Sequence, residues 1–247
     1  MPNTGLSRST GILLGLTLAA GLIISAAQVT RAWLHIADSQ TISVTGASRE
    51  DVTSDLAVWS ATFSAESEKL SEAQQQLRDD FLKVQAFFKQ HGITNAEISA
   101  ISIKHLKTPS NSAYGDEESK KTVGYRLAQG IRLELMEVQR VLDIQQQSGS
   151  LVQEGVELDD RGVEFLYTKT AEAKINMLAS AAKDARQRAE QIASQGGRKI
   201  KGMRSAKMGV FQITPRNSNE TSALGVNDVT SRDKTIRAVV SATFSME

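Results

Sequence analysis

Apolar positions along this chain change their period several times, and each change marks a new element. Val163-Glu164-Phe165-Leu166-Tyr167-Thr168 is rich in β-branched and aromatic residues and reads as a strand. From Thr170 the spacing becomes three and four: Ala171, Ile175, Leu178, Ala182, Ala185, Ala189 and Ile192 predict one apolar stripe along a helix. Thr170 suits its N-cap, Glu172 its first turn and Gly196-Gly197 a left-handed exit. The chain then runs extended from Ile200 to Ile213. A stripe made mostly of alanine lets the helix lie close on a flat partner, and a β-sheet is the natural one.

The same reading elsewhere predicts a first strand over 40–46, ended by Gly46, and a second over 56–65 with Ala57, Trp59, Ala61 and Phe63 on one face. A long helix over 66–90 places Leu70, Ala73, Leu77, Phe81, Val84 and Phe88 on its stripe and stops at Gly92. Strands follow over 98–106 and 123–135, separated by a polar loop at 107–121. A short helix over 137–147 turns Val138, Val141, Leu142 and Gln145 inward, Ser148-Gly149-Ser150 breaks it, and Val156-Glu157-Leu158 forms a brief strand. The loop Thr214–Asp233 is mobile by composition. The closing strand, 235–246, faces Ile236, Ala238, Val240, Ala242, Phe244 and Met246 one way and reads as an edge open to a neighbouring copy. Ser60-Ala61-Thr62-Phe63-Ser64 recurs as Ser241-Ala242-Thr243-Phe244-Ser245, and two strands solving one packing problem explain that better than duplication. Strands that come in pairs around each long helix predict an α+β fold. In it, mainly antiparallel sheets carry two long helices and one short one. No stretch between 40 and 247 has the look of an interdomain linker, so 38–247 reads as one domain, with room for two lobes.

The N-terminus changes that picture. Ser9 to Thr30 carries no charge, and Gly11–Val29 is dominated by apolar and small residues. As a helix, its nineteen residues would cover about 28 Å, close to a bilayer's hydrocarbon core. Residues 1–37 therefore read as a membrane segment and connector, either an uncleaved transmembrane anchor or a signal peptide cut after Ser25-Ala26-Ala27. The run exceeds a usual signal-peptide core, which favours the anchor. A short tail inside and a large body outside is the simpler topology.

Composition mostly excludes. The 247 residues are 40% hydrophobic and 23% charged, as in an ordinary globular protein, and contain no cysteine for disulfides or thiolate metal sites. Arg8 and Arg31 are the only charges among the first 31 residues, leaving 27 basic against 28 acidic in the body. A body so near neutrality predicts no nucleic-acid partner. His35, His91 and His105 lack ligand spacing. Asp79-Asp80 diverge around their helix and read as a solvated face, Asp116-Glu117-Glu118 beside Lys120-Lys121 as surface charge, and Asp159-Asp160-Arg161-Gly162 as a turn. Gly196-Gly197-Arg198-Lys199 sits at the wrong end of a helix for phosphate, so its basic residues read as caps. Asn219-Glu220-Thr221 matches a glycosylation acceptor by accident. No catalytic, cofactor-binding or metal residue emerges, and no cofactor is implied.

Thr41-Ile42-Ser43-Val44-Thr45-Gly46, Asp55-Leu56-Ala57-Val58-Trp59, Glu164-Phe165-Leu166-Tyr167-Thr168, Ala181–Glu190 and Gly209-Val210-Phe211-Gln212-Ile213 occur in this order before the closing strand. Their order and spacing resemble the SIMPL-domain family of bacterial envelope proteins, including the YggE-like group, over residues 40–247. The resemblance implies an α+β domain outside the cytoplasmic membrane, no established enzymatic activity, and assembly into oligomers in some members. The expectation is a non-enzymatic protein of the inner membrane, held through residues 11–29 with its domain on the periplasmic side. It would self-associate or bind other envelope components. A soluble periplasmic form after cleavage, a binding module for a small apolar or lipid-like ligand, and a carboxylate-dependent hydrolase are the alternatives.

Overall fold

The computed structural model describes residues 8–37, 40–108 and 121–247. Its elements in order are α1 (Arg8–Ala37), β1 (Thr41–Thr53), β2 (Leu56–Ser67), α2 (Leu70–Gln90), β3 (Glu97–Ile98), β4 (Ser102–Lys107), β5 (Thr122–Leu135), α3 (Val138–Gln147), α4 (Gly149–Gln153), β6 (Glu157–Leu166), α5 (Thr170–Gln195), β7 (Ile200–Met208), β8 (Gln212–Pro215) and β9 (Asp233–Met246). The paired strands are antiparallel and the helices segregate from them, so the fold is α+β. Most of the polar loop expected at 107–121 lies outside the described residues. Contacts divide the chain into two compact units, 1–48 with 178–209 and 239–247, and 49–177 with 210–238.

In the second unit, β2 lies between β5 and β6, and β3 and β4 pair with β5. Ala57, Trp59, Ala61 and Phe63 share a face of β2, as alternation requires, and are at most 2% exposed. They pack with Ala73, Leu77, Val84 and Phe88 of α2 and with Val138, Val141 and Ile144 of α3. Ile144 takes the inward place expected of Gln145. Asp80 departs from its expected solvated setting. It falls on the same stripe as Leu77 and Val84 and is 1% exposed, with Lys83 Nζ 2.9 Å from its Oδ1 and no partner for Oδ2 among the described residues. The turn expected at Asp159–Gly162 is instead a bulge within β6. Trp59 pairs with Val163 but Ala61 with Asp160, one extra residue on β6. The side-chain-to-backbone bond expected there does form, from Gly162 N–H to Asp160 Oδ1 at 2.8 Å.

In the first unit, the halves of β1 and β9 and all of β7 make a sheet in the order β1-β9-β7. The closing strand is thus central, not an edge, because both β1 and β7 pair with it. Val240, Ala242 and Phe244 face Ala181, Ala185 and Ala189 of α5. The buried line of α5 is Ala173, Met177, Ala181, Ala185, Ala189 and Ala193, at strict steps of four, while Ile175 and Ile192 of the expected stripe are 69% and 57% exposed. Gly46 explains the preference for alanine. A β-carbon on Gly46 would run into Ala181 O and Ala185 N, so helix backbone rests directly on β1. Gly46 therefore does not end a strand; β1 continues through it to Thr53. The helix exit is as expected. Gly197 has φ +70°, Gly197 N–H donates to Ser194 O and Arg198 N–H to Ala193 O, which completes a Schellman motif.

Candidate functional site

The second unit contains a cleft of about 430 Å³, lined by the start of α5, β8 and the loop before β9. β8 ends at Pro215, and beyond it Arg216 N–H still donates to Asp233 O at 3.0 Å. The chain returns along it: Ile213 N–H donates to Val226 O, Asp228 N–H to Ile213 O, and on the other side Phe165 N–H donates to Val229 O. The loop expected to be mobile is thereby bonded at both flanks, and Gln212 exchanges further bonds with Ser222.

Asp228 is the hub. Its Oδ1 accepts the Thr230 N–H at 2.9 Å and hydroxyl at 2.8 Å; Oδ2 accepts the Ser231 N–H at 3.3 Å and the Lys234 ammonium at 3.2 Å. Lys234, only 1% exposed, also donates to Asp228 O at 2.5 Å. Burial alone would raise the carboxyl, but these donors more than offset it and bring its pKa down to about 2. A carboxylate so acidic, its lone pairs already occupied, is a poor proton acceptor near neutral pH. What the pair does is hold an ammonium in a wall that combines Leu166, Phe211, Ile213 and Val226 with the polar Tyr167, Thr170 and Asn227. At the mouth, Lys174 Nζ stands 5.7 Å from the centre of the Phe211 ring. Opposite, Leu224 is 95% exposed.

Two further carboxylates act as clasps. Asp55 accepts the Thr168 N–H at 2.7 Å and hydroxyl at 2.8 Å. Burial pushes its carboxyl up, and the Thr168 bonds bring it below the usual range. Asp160 receives the indole N–H of buried Trp59 at 2.9 Å and Gln145 Nε2 at 2.8 Å. Burial opposes its ionisation, but these donors and the Gly162 N–H prevail. Sequence reasoning missed Lys234 and Asp228 as a pair. Their spacing of six residues is ordinary, and only the turn between them brings them together.

Among the described residues, those weighed for chemistry are not brought together; Asp116–Lys120 and the His35 side chain lie outside them. The His91 ring lies 4.5 Å from Phe87 at the end of α2, and His105 stands edge-on to Tyr125 at 5.2 Å. Among the described residues no three His, Asp or Glu side chains are grouped to hold a metal ion. Glu97 and Glu134 do line one surface depression, of about 310 Å³, with Arg132 between them; Arg132 lies 3.5 Å from Glu134.

The N-terminal element is a helix, α1, whose described large apolar side chains are all bare: Ile12, Leu13, Leu16, Leu18, Leu22, Ile23, Ile24, Val29 and Trp33. Side chains are described continuously over 15–31, and among the described residues no helix is long and apolar enough to cross a membrane.

An α+β fold with a clasped cleft defines the class. The match to known families narrows it: residues 42–244 fit the SIMPL model, described as a protein of unknown function (DUF541). The chain belongs to the SIMPL family. No curated protein matches it.

Proposed function

We propose that this SIMPL-family protein is a non-enzymatic, membrane-tethered envelope protein of the cytoplasmic membrane. Its body lies on the periplasmic side and works by contact, with further copies of itself or with other envelope components. The observation that carries the reading is α1. A helix that shows apolar side chains all round finds no stable place in water, and the uncharged run Gly11–Val29 is the segment that would enter lipid. Alkaline extraction of membranes from cells making the full chain should leave it in the pellet, with the N-terminal segment present by mass. A mature protein beginning at Gln28 would replace the anchor with a cleaved leader, and an intact chain in the soluble fraction would overturn both. Light scattering of the detergent-purified full chain reads self-association; a strict monomer leaves only the other envelope partners.

The cleft favours a second reading, a binding module for a small, partly apolar ligand. Its volume is within the range of small-molecule sites, and its walls mix apolar side chains with two lysines. Native mass spectrometry of the full chain should then show a co-purifying mass that is lost on Phe211→Asp. A ligand-free spectrum would count against it. The hydrolase alternative has little to stand on, since the two carboxylates that share a depression, Glu97 and Glu134, are exposed and separated by Arg132.

A further inference from the structure

From Glu190 to Glu220 the chain has no acidic residue, yet it carries Arg198, Lys199, Lys201, Arg204, Lys207 and Arg216. Arg216 is paired with Asp51 at 3.5 Å. The other five lie on β7 or just before it, and among the described residues none of them takes part in an ion pair. Glu190, the nearest acid on α5, is already bound by Arg186 at 2.9 Å.

β7 is an edge strand, paired on one side with β9. Its register slips twice. Ile200 pairs with Met246 but Gly202 with Ser245, and Met203 with Phe244 but Ser205 with Thr243, so Lys201 and Arg204 are the two extra residues. A bulge re-aims its side chain, and both bulges here carry a cation. Met203, between them, and Met208, just after Lys207, are 48% and 54% exposed. Guarding an edge against strand pairing accounts for lysines and bulges. It does not call for an interval cleared of carboxylates, nor for exposed methionines among the charges.

The place of this strand in the first unit supplies the partner. Met246 N–H donates to Gln40 O at 2.9 Å and Glu247 N–H to Lys199 O at 2.8 Å, so Gln40, Met246 and Lys199 are level on neighbouring strands. Gln40 is three residues from Ala37, the end of α1, a reach of at most about 11 Å. Strand spacing adds roughly 10 Å across to β7. The unpaired cations are thus leashed to whatever holds α1. Among the described residues, Glu247 is an acid on the same end of the sheet, beside Arg198, Lys199 and Lys201.

We propose that Arg198, Lys199, Lys201 and Arg204, with Met203 between them, dock on the anionic headgroups of the bilayer that holds α1. The inference rests on the anchoring reading and deepens it: the body is held flat on a lipid surface rather than swinging on its connector. Basic residues at an anionic surface each contribute about a fivefold gain in partitioning.

The test uses the full chain reconstituted in vesicles of phosphatidylcholine alone or mixed with phosphatidylglycerol. Flotation with the phosphatidylcholine vesicles reports the anchor. Amine acylation read by peptide mass spectrometry, with exposed Lys89 as internal reference, reports the strand. Lys199 and Lys201 should react about fivefold more slowly on the anionic vesicles, and the protection should vanish in about 1 M salt, where the Debye length is about 3 Å. In the Arg198→Gln/Arg204→Gln variant, which removes one half-buried cation just before β7 and one exposed cation on it, protection of Lys199 should fall severalfold. A chain that floats yet shows equal labelling on both vesicles overturns the inference and leaves the anchor. One that floats only with anionic vesicles overturns the anchor and leaves the basic surface; one that floats with neither overturns both. Equal protection by soluble polyphosphate would overturn the assignment to lipid.

Discussion

Gly46 and Asp228 are the two residues at which a single atom decides most. At Gly46 the helix backbone occupies the space of a side chain, so Gly46→Ala must push α5 off β1. Overpacking of a filled core costs about 1–3 kcal/mol, and contact with backbone rather than a flexible side chain puts this change at the upper end. Urea unfolding should show a midpoint well below that of the parent. At Asp228 the cost is electrostatic. Asp228→Ala leaves the Lys234 ammonium buried without its partner, a loss of about 3–5 kcal/mol, whereas Asp228→Ala/Lys234→Met should recover much of it. A double variant no better than the single would show that the pair does not bear on stability. Because the Asp228 carboxyl ionises more readily folded than unfolded, its contribution is complete above about pH 4 and is lost as pH falls toward 2. A fall from 3.8 to about 2 corresponds to about 2 kcal/mol. Melting followed across that window should lose this acid sensitivity in the double variant. Neither residue announces itself in the sequence: glycine before a charged segment looks like a stop, and an Asp six residues before a Lys looks like surface.

At the scale of elements, α5 shows both what periodicity delivers and where it misleads. Its length and its Gly196-Gly197 exit follow from residue types that have a backbone reason to be there, while its start comes one residue earlier than the expected Thr170 cap, since Ala173 N–H donates to Lys169 O and Thr170 is already helical. Its buried face does not follow in that way, because the largest apolar side chains dominate a hydrophobic pattern, and here Ile175 and Ile192 are exposed while close approach to a sheet selects for smallness. Ala189→Leu should therefore destabilise by about 1–3 kcal/mol, and Ile192→Gln should stay within about 0.5 kcal/mol of the parent. The reverse order in thermal melts would restore the larger side chains to the core. β2 was legible for the opposite reason: strict alternation of Ala57, Trp59, Ala61 and Phe63 admits only one register. Which strand is central, as with β9, is a matter of pairing between distant segments, and no local pattern encodes it.

For the whole molecule, the chain organises as two compact units, the first of which includes the apolar helix α1, and membership of the SIMPL family spans nearly the whole chain beyond that helix. The cleft beneath Lys234 was not foreseen, since its lining comes from positions 166 to 234 and is gathered only by the fold. The apolar N-terminal segment, by contrast, is written in one uninterrupted run. Removing residues 1–37 should move the protein from the membrane pellet to the supernatant, and fractionation of cells making that variant checks it. A truncated chain still in the pellet after alkaline extraction would shift attention to other lipid contacts.

The pairing of β1 with β9 has a mechanical consequence. Ser43 meets Thr243 at 2.9 Å and Thr45 meets Ser241 at 3.3 Å, so the two strands run in opposite directions from a shared end at Gln40 and Met246. Tension between those two ends peels the ladder rung by rung, like a zip. In a single-molecule stretching experiment, handles there should part the strands at a lower force than handles placed at opposite ends of the same ribbon, where every rung must break together.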